Sequence, residues 1–376
     1  MKSITSDIKC TGCALCYNVC KHNAITMELN SEGFYFPIIL ANSCVDCNAC
    51  VNICNRQVIK NYPICAYKAL SKDKNVLDRS TSGGLFLEFA KKILEEGGVV
   101  FAAVFDDVFS VKHVEIDNFA DLVKAQGSKY VGSNIEKTYL IIKQRLSENK
   151  KVAFFGTPCQ CSALKKIMGS NNEDLYLIDF ICHGIASEKV FKLFLRQLEE
   201  NSKSTISEFY FRSKDFGYLS PKIKIKYKND KLEYYPTYDC SFGYAFAAGI
   251  INRKACASCE FSTIERISDI TMADLTTSIS ENEKKLGASL CLINTRKGLD
   301  LFNNCDLNKE EKTLEFCKQV QYHLTTPAIE DRRRSKLFSN IDKMPYNLLA
   351  KKFMTRPKNN LINKIKTKLS YIFRRK

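Results

Sequence analysis

Two runs of four cysteines near the amino end constrain this chain more strongly than any other feature of its sequence. Each run has the spacing C-x2-C-x2-C-x3-C, and the second run repeats the first at a constant offset, from position 10 to position 44. Such self-similarity indicates two copies of one structural unit. The first run comprises Cys10, Cys13, Cys16 and Cys20, and the second comprises Cys44, Cys47, Cys50 and Cys54.

The spacing is typical of 4Fe–4S clusters of the bacterial two-cluster ferredoxin type. Three thiolates separated by two residues each can wrap an iron–sulfur cube on one tight loop, while the fourth cysteine of each run binds the other cluster. Zinc or disulfides are the alternatives, although zinc sites more often use two separated C-x2-C pairs. The position after the fourth cysteine, where proline is usual, holds Lys21 or Asn55, which weakens the match slightly. We therefore predict two [4Fe-4S] clusters, one on Cys10, Cys13, Cys16 and Cys54, and one on Cys44, Cys47, Cys50 and Cys20.

The segment between the two runs supports this interpretation. Ala24 to Leu29 and Phe34 to Leu40 are predicted to be short strands, and Asn30 to Gly33 has the chemistry of a turn. A hairpin of this kind would cover the clusters with apolar side chains. We therefore predict a ferredoxin-like domain at residues 1–60, followed by a polar linker at residues 61–80.

The length and cysteine content bound the class of protein. A chain of 376 residues predicts two or three domains, and its 18 cysteines are too many for chance in a chain too long for a disulfide-stapled miniprotein. The first residues are short and polar, unlike a signal peptide, and no apolar run is long enough to span a bilayer. We therefore expect a cytoplasmic protein whose thiols bind metal or act in catalysis, and the clusters would suit an anaerobe.

The net charge of +16 is compatible with nucleic acid, an anionic membrane surface or acidic redox partners. Because no nucleic-acid motif is present, we expect no nucleic-acid binding. Much of the excess lies in Arg332 to Arg334 and in Lys351 to Lys376, where apolar residues recur at near-helical spacing among lysines. This pattern predicts a basic helical tail at residues 331–376. The tail is either a solvated helix, a partner-docking helix or a peripheral contact with the inner membrane surface.

Residues 81–330 have the sequence pattern of an α/β domain. Strands of the buried, largely apolar kind at 99–105, 152–155 and 175–181 alternate with helices, which implies βαβ units and a mostly parallel sheet. From residue 207 the pattern changes to antiparallel strands, so we expect a mixed sheet overall. The predicted fold is an α+β and α/β multidomain protein, with the ferredoxin-like domain preceding an α/β domain.

Three loops rich in small residues follow strands or open helices in this domain. Ligands of open α/β sheets bind beyond the carboxyl ends of the strands, and backbone N–H groups at helix starts attract phosphates. The loops are therefore candidates for a pyrophosphate-binding cradle, with ordinary turn chemistry as the alternative. No G-x-G-x-x-G fingerprint is present, so a standard nicotinamide-binding unit is not expected. The loop residues are Thr81, Ser82, Gly83 and Gly84; Gln126, Gly127, Ser128, Lys129 and Tyr130; and Gly156, Thr157 and Pro158.

Four further cysteines form a possible third cluster site. Cys159 and Cys182 each follow a buried strand closely, and Cys256 and Cys259 form a C-x2-C pair on a loop. The alternatives are buried structural thiols for the first two and a zinc pair for the others. His183, next to Cys182, is a candidate proton donor near a cofactor, with a structural histidine as the alternative.

Together, the ferredoxin pair, the three loops, Cys182-His183-Gly184 and the C-x2-C pair resemble the coenzyme F420 hydrogenase/dehydrogenase beta-subunit family over about residues 1–330. The resemblance implies that the three loops contact FAD, that Lys129 contacts its phosphate or flavin, and that the third cluster exists. It also makes Lys129 and His183 candidate catalytic residues.

The function that the resemblance implies is that of a FAD-dependent oxidoreductase. Ferredoxin or another redox protein would exchange single electrons with the clusters, and FAD would exchange a hydride with a small-molecule substrate such as coenzyme F420 or another acceptor. The alternative is a non-catalytic electron-transfer subunit that docks on a partner enzyme, with polysaccharide biosynthesis as one setting.

Overall fold

The computed structural model describes residue 4, residues 9–169 and residues 172–357 of the chain. It contains a two-stranded, a three-stranded and an eight-stranded sheet. The strands are β1 (Ile25–Leu29), β2 (Tyr35–Ile39), β3 (Cys65–Ser71), β4 (Val99–Phe105), β5 (Val111–Ile116), β6 (Val152–Phe155), β7 (Leu175–Phe180), β8 (Ile206–Ser213), β9 (Lys222–Tyr227), β10 (Leu232–Pro236), β11 (Ile270–Asp274), β12 (Ser289–Ile293) and β13 (Leu307–Lys312).

Helices cover the sheets and carry several of the predicted site residues. Two short 3-10 turns, Lys254–Ser258 and Tyr322–Leu324, add to them. The α-helices are α1 (Leu15–Val19), α2 (Ala49–Asn55), α3 (Lys74–Arg79), α4 (Leu85–Glu95), α5 (Phe119–Ala125), α6 (Thr138–Ser147), α7 (Pro158–Met168), α8 (Glu188–Ser202), α9 (Ser241–Ala247), α10 (Glu281–Leu286), α11 (Arg296–Asn303), α12 (Leu314–Val320), α13 (Arg334–Phe338) and α14 (Tyr346–Phe353).

The amino-terminal unit has the predicted hairpin, because β1 and β2 pair antiparallel with Ile25 opposite Ile39. The cysteine repeat is also a repeat of backbone conformation. Gly12 and Ala14 adopt φ values of 72° and 58°, and Asp46 and Asn48, at the equivalent positions of the second run, adopt 53° and 58°. Both loops therefore make the same left-handed turns before entering α1 and α2.

The eight-stranded sheet has the order β13-β3-β12-β11-β7-β6-β4-β5. Its four middle strands, β11, β7, β6 and β4, are parallel to their neighbours in this group, and every pairing outside that group is antiparallel. The expectation of a mixed sheet is confirmed. The parallel βαβ pattern that the sequence predicts is restricted to the middle of the sheet, which positions the functional loops at one edge.

The linker predicted at residues 61–80 is wrong, because this interval contains β3 and α3. Strand β3 pairs with β12 on one side and β13 on the other, and Ala66 and Ala69 are fully buried. Two neighbouring strands satisfy its backbone groups, so a strand with few large apolar residues is stable there. Helix α3 is capped by the Asp73 side chain, which accepts from the Asn75 N–H at 2.8 Å.

A second layer, made by the three-stranded sheet and by α8 and α9, packs around an aromatic core. The rings of Phe191, Phe209 and Phe211 are centred 4.9 to 5.2 Å apart. Leu337 of α13 and Phe353 of α14 belong to the same core. The first part of the predicted basic tail is therefore packed against the domain, and the lysine-rich segment after residue 357 lies outside the described residues.

The arginine cluster of the tail is not a free basic surface. Arg334 is 1% exposed, and its guanidinium forms a forked ion pair with Glu32 of the amino-terminal hairpin turn. Arg333 pairs with Asp331 at 2.8 Å. Within the ranges that the structure describes, no helix combines the length and the apolar character that crossing a bilayer requires.

Candidate functional site

The thiols assigned to the first ferredoxin cluster lie together. Burial raises the pKa of the Cys16 thiol well above its usual value, and Cys13, Cys10 and Cys54 raise it further by charge repulsion. Burial, followed by charge repulsion from Cys13, likewise raises the pKa of the Cys54 thiol. Four thiols brought together in this crosswise manner are the donor set that a cube of iron and sulfur requires.

The second group lies closer to solvent. Burial raises the pKa of the Cys50 thiol, and charge repulsion from Cys20 and Cys47 adds to this effect, so the fourth cysteine of the first run lies near the second run. Cys47 is exposed, whereas Cys10 and Cys16 are buried. The two groups also adjoin, since Cys50 acts on the pKa of Cys54.

The four cysteines of the possible third site also lie together. Burial raises the pKa of the Cys159 thiol to about 12, with smaller contributions from Cys13, Cys259 and Cys256. Burial likewise raises the pKa of Cys182, followed by repulsion from Cys256, Cys159 and Cys259. The influence of Cys13 on Cys159 means that the third group adjoins the first. In the described residues no three His, Cys, Asp or Glu side chains converge as ligands of a single ion would.

Adjacent parallel strands explain why Cys159 and Cys182 meet. Strands β6 and β7 are neighbours with Phe155 opposite Ile178, so the residues after them lie at the same edge. Thr157 and Gln160 form a capping box at the start of α7, with the Thr157 N–H donating to Gln160 Oε1 at 3.0 Å. This cap fixes the first turn of the helix, which carries Cys159.

A cavity of about 550 Å³ opens at this edge of the sheet. All three predicted loops line it, together with His183 and the four cysteines of the third group. Of the loop residues, Gly83 alone does not face the cavity. Its N–H donates to Ser289 Oγ at 2.9 Å, and a Cβ at this position would lie 2.5 Å from the carbonyl oxygen of Ala69. Gly83 therefore permits close packing of its loop against β3 and β12.

Lys129, predicted to contact phosphate or flavin, uses its ammonium group within its own loop. Its Nζ donates to the carbonyl oxygens of Ala125 at 2.8 Å and Gln126 at 3.0 Å, at the end of α5. Burial lowers the pKa of Lys129 to about 7. The side chain lines the cavity and has no carboxylate partner among the described residues, and its role towards a ligand stays a prediction.

His183 lies in the cavity wall with a second histidine that the sequence did not single out. The rings of His183 and His323 are centred 4.5 Å apart. Burial lowers the pKa of His183 to about 4, and the neighbouring His323 lowers it further. The imidazole is therefore neutral near pH 7, and the predicted role as proton donor stays a prediction.

Unpartnered polar atoms are concentrated in this cavity. Seven buried side-chain nitrogen or oxygen atoms in the described part of the chain have no hydrogen-bond partner, and five of them belong to residues that line it. Such atoms are rare in folded proteins because each is costly to bury, so a group of them indicates a site for a polar ligand. The five are His113 Nδ1, Gln126 Nε2, Glu188 Oε2, Arg212 Nε and Asn252 Oδ1.

Sequence reasoning identified Gln126 and missed the other four residues. His113 lies on β5, a strand that was not predicted, and its Nε2 bonds the carbonyl oxygen of Phe155 at 3.0 Å. With the proton on Nε2, Nδ1 remains an acceptor without a donor. No spacing or motif in the sequence marks His113 or Asn252 as site residues.

Arg253 was also missed, although it links two of the cysteine groups. Its guanidinium donates to the carbonyl oxygen of Cys10 at 2.6 Å, and to the Cys10 sulfur at 3.3 Å. Its own carbonyl oxygen accepts from the Cys256 N–H at 3.0 Å. One arginine thus contacts a thiol of the first group and the turn that carries the third.

Most of the chain matches regions of known protein families. Residues 9–59 match the 4Fe-4S dicluster domain. Residues 66–138 match the coenzyme F420 hydrogenase/dehydrogenase, beta subunit N-term, and residues 149–320 match the C terminus of the same beta subunit. The two beta-subunit regions together cover more than half of the chain, and they begin where β3 begins rather than after the predicted linker.

Two individual proteins illustrate the similarity. The coenzyme F420-dependent sulfite reductase of Methanocaldococcus jannaschii is 23% identical over 89% of this chain, which spans 52%, about half, of that relative's length. A chain of the F420-reducing [NiFe] hydrogenase complex from Methanosarcina barkeri is 17% identical, with a TM-score of 0.48 over 75% of this chain and 95% of that chain.

Proposed function

Because the chain belongs to the coenzyme F420 hydrogenase/dehydrogenase beta-subunit family and carries a 4Fe-4S dicluster domain, we propose that it is an iron–sulfur flavoprotein oxidoreductase. It exchanges single electrons with a redox protein such as ferredoxin and a hydride with a small-molecule substrate. Coenzyme F420 is the first substrate to test, since the matched relatives are named for it.

The observation that carries this proposal is the continuity between the thiol groups and the cavity. The exposed Cys47 group adjoins the buried Cys10 group, which adjoins the third group through Cys13 and Cys159. The third group in turn lines the cavity. An electron that enters near Cys47 can therefore reach the cavity through successive neighbouring sites.

The chain fits a flavin on two counts. The cavity volume is within the range of small-molecule and cofactor sites, and the unpartnered polar atoms of its wall include both donors and acceptors. When bound, the clusters would transfer one electron at a time and a flavin two, so the combination would convert two single electrons and a proton into a hydride. The loops at Thr81–Gly84, Gln126–Tyr130 and Gly156–Pro158 would hold the flavin.

The remaining wall residues bind and orient ligands. The unpartnered His113 Nδ1 and Asn252 Oδ1 would accept hydrogen bonds from a ligand, while the unpartnered Gln126 Nε2 and Arg212 Nε would donate them. Arg212 is held by Asp274, which fixes the direction of its guanidinium. His183, which lines the cavity beside Cys182, would hold a proton on its neutral imidazole next to the substrate.

A second candidate is a non-catalytic electron-transfer subunit that docks on a partner enzyme. The matched family favours it, because both of its regions are described as parts of a beta subunit, which is one component of a larger complex. An enzyme would turn over with substrate and reductant alone, whereas a subunit would need its partner.

Cofactor analysis of the anaerobically purified full chain tests the proposal. Denaturation should release FAD, and iron analysis should give about twelve irons per chain, by four irons per cube. Reduced coenzyme F420, reduced ferredoxin and NADH are then compared as electron donors. A supernatant without flavin after reconstitution with FAD would refute the flavoprotein, and about eight irons would remove the third cluster.

A further inference from the structure

Arg253 is a buried cation that has no carboxylate partner among the residues that the structure describes. The residue is 3% exposed. In the described part of the chain, the guanidinium bonds the carbonyl oxygens of Cys10 and Tyr35 and the sulfur of Cys10, and none of these partners is a carboxylate. A buried charge without a compensating charge is strongly unfavourable, so this position requires an anion.

The anion is available at the sulfur of Cys10. A cluster held by Cys10, Cys13, Cys16 and Cys54 carries a net negative charge through its four thiolates, and the charge grows by one unit when the cluster accepts an electron. Phe36 lies on the guanidinium, with its ring centre 4.1 Å from the central carbon. The ring excludes water, so the field of the arginine at the sulfur is weakly screened.

Among the described residues, no arginine or lysine side chain donates a hydrogen bond to a thiol of the second ferredoxin site. Cys20 there accepts from the Ala24 N–H at 3.3 Å, and Lys137 interacts with Cys20 through its charge alone. Cys47 of this group is exposed to solvent. The buried guanidinium of Arg253 thus bonds a thiol of the first site directly, whereas Lys137 acts on the second site by charge alone.

We propose that Arg253 raises the reduction potential of the cluster at Cys10 above that of the exposed cluster at Cys47, and so directs electrons inward. An N–H···S bond and an adjacent positive charge both stabilise the reduced, more negative form. The step moves one electron: the exposed cluster, reduced beforehand by a one-electron donor such as reduced ferredoxin, is oxidised, and the cluster at Cys10 is reduced. No bond or proton is exchanged. The inference rests on the two ferredoxin clusters of the proposed function, and not on the flavin.

Redox titration monitored by electron paramagnetic resonance tests this in the full chain, purified without air. Arg253→Gln should lower the midpoint potential of the Cys10 cluster by at least about 59 mV. For one electron this shift corresponds to a tenfold change in the oxidised-to-reduced ratio. The midpoint of the Cys47 cluster should not move. Arg253→Lys should lower the midpoint of the Cys10 cluster less than Arg253→Gln does, because lysine keeps the charge and loses only the planar fork.

Two controls accompany the variants. Arg196→Gln removes one positive charge from an exposed position on α8 and should leave both midpoints unchanged, because solvent and salt screen it. Cys47→Ser alters the exposed cluster and identifies its signal. Iron content confirms that each variant retains its clusters.

An unshifted midpoint for the Cys10 cluster in Arg253→Gln, with iron retained, would overturn the inference. Loss of that cluster in both arginine variants would also overturn it, because Arg253 would then support assembly rather than tune the potential. The absence of any cluster signal in the unmodified chain is a different result, since it would refute the proposed function itself.

Discussion

The hydroxyl group of Tyr139 donates a hydrogen bond to the carbonyl oxygen of Cys13 at 2.9 Å. The same hydroxyl lies 3.3 Å from the carbonyl oxygen of Gln160 on α7, and the ring is fully buried. One tyrosine of the α/β domain thus joins the first cysteine loop to the helix that carries Cys159, where two of the thiol groups adjoin.

Tyr139→Phe should destabilise this junction without disturbing its shape. The change removes the donor and leaves two buried carbonyl groups short of a partner, so we expect a loss of about 1–2 kcal/mol in the free energy of unfolding. Thermal unfolding under argon measures the difference. Tyr62→Phe, at an exposed position, is the matched control and should have no measurable effect; an equal effect of both changes would contradict the prediction.

The ion pair between Asp179 and Arg266 holds together the segments before Cys182 and after Cys259. The pair is 2.9 Å long with both side chains buried, and Thr271 donates to the second carboxylate oxygen at 2.6 Å. Asp179→Asn would leave the guanidinium without a counter-charge, at a cost of about 3–5 kcal/mol. The exposed pair of Lys124 with Asp121 provides the control, since Asp121→Asn should have little effect on stability.

Protonation of His113 should weaken the fold in mild acid. Burial lowers the pKa of His113 to about 4, and the nearby Lys129 lowers it further. The unfolded chain, with a histidine pKa of about 6.5, binds more protons between these values, so stability is complete above pH 6.5 and is lost as pH falls towards 4. The expected loss is about 1 kcal/mol per pH unit.

The matched variant for this effect is His113→Phe, which keeps an aromatic ring against Phe154. It should be less stable at pH 7.5 but should lose less stability on going to pH 5.5 than the unmodified chain. Urea midpoints at the two pH values give the comparison. Parallel curves for the two proteins would show that His113 does not titrate in this range.

Much of the thiol arrangement could be predicted from sequence, because fixed spacing determines which cysteines share a loop. The meeting of Cys159 and Cys182 was also predictable, since both follow parallel strands. The contact of Arg253 with Cys10 was not, because it joins residues 243 positions apart and depends on how two units pack.

The errors of the sequence analysis have a common cause. Strand β3 lies in the predicted linker, and β5, which carries His113, was not predicted at all. Both strands include charged residues, and their stability comes from neighbouring strands rather than from their own composition. Local sequence patterns therefore do not predict a cavity wall that includes such a strand.

Cys259→Ala tests whether the third thiol group holds a cluster. The iron content should fall by about four per chain, while the signals of the ferredoxin clusters persist. Cys65→Ala on β3 is the control, because this cysteine belongs to none of the three groups and its loss should leave the iron content unchanged. Unchanged iron in Cys259→Ala would assign the four thiols a structural role.

The most direct test of the account is whether electrons from the ferredoxin-like unit reach a flavin through the third thiol group. Reduced ferredoxin is mixed without air with the FAD-loaded full chain and with its Cys259→Ala variant, and flavin absorbance and cluster signals are followed in time. The account predicts rapid bleaching of the flavin in the unmodified chain, and reduced ferredoxin-type clusters with bleaching slowed at least about tenfold, an increase of about 1.4 kcal/mol in the barrier, in the variant. Equal bleaching in both proteins, or no bleaching in either, would contradict it.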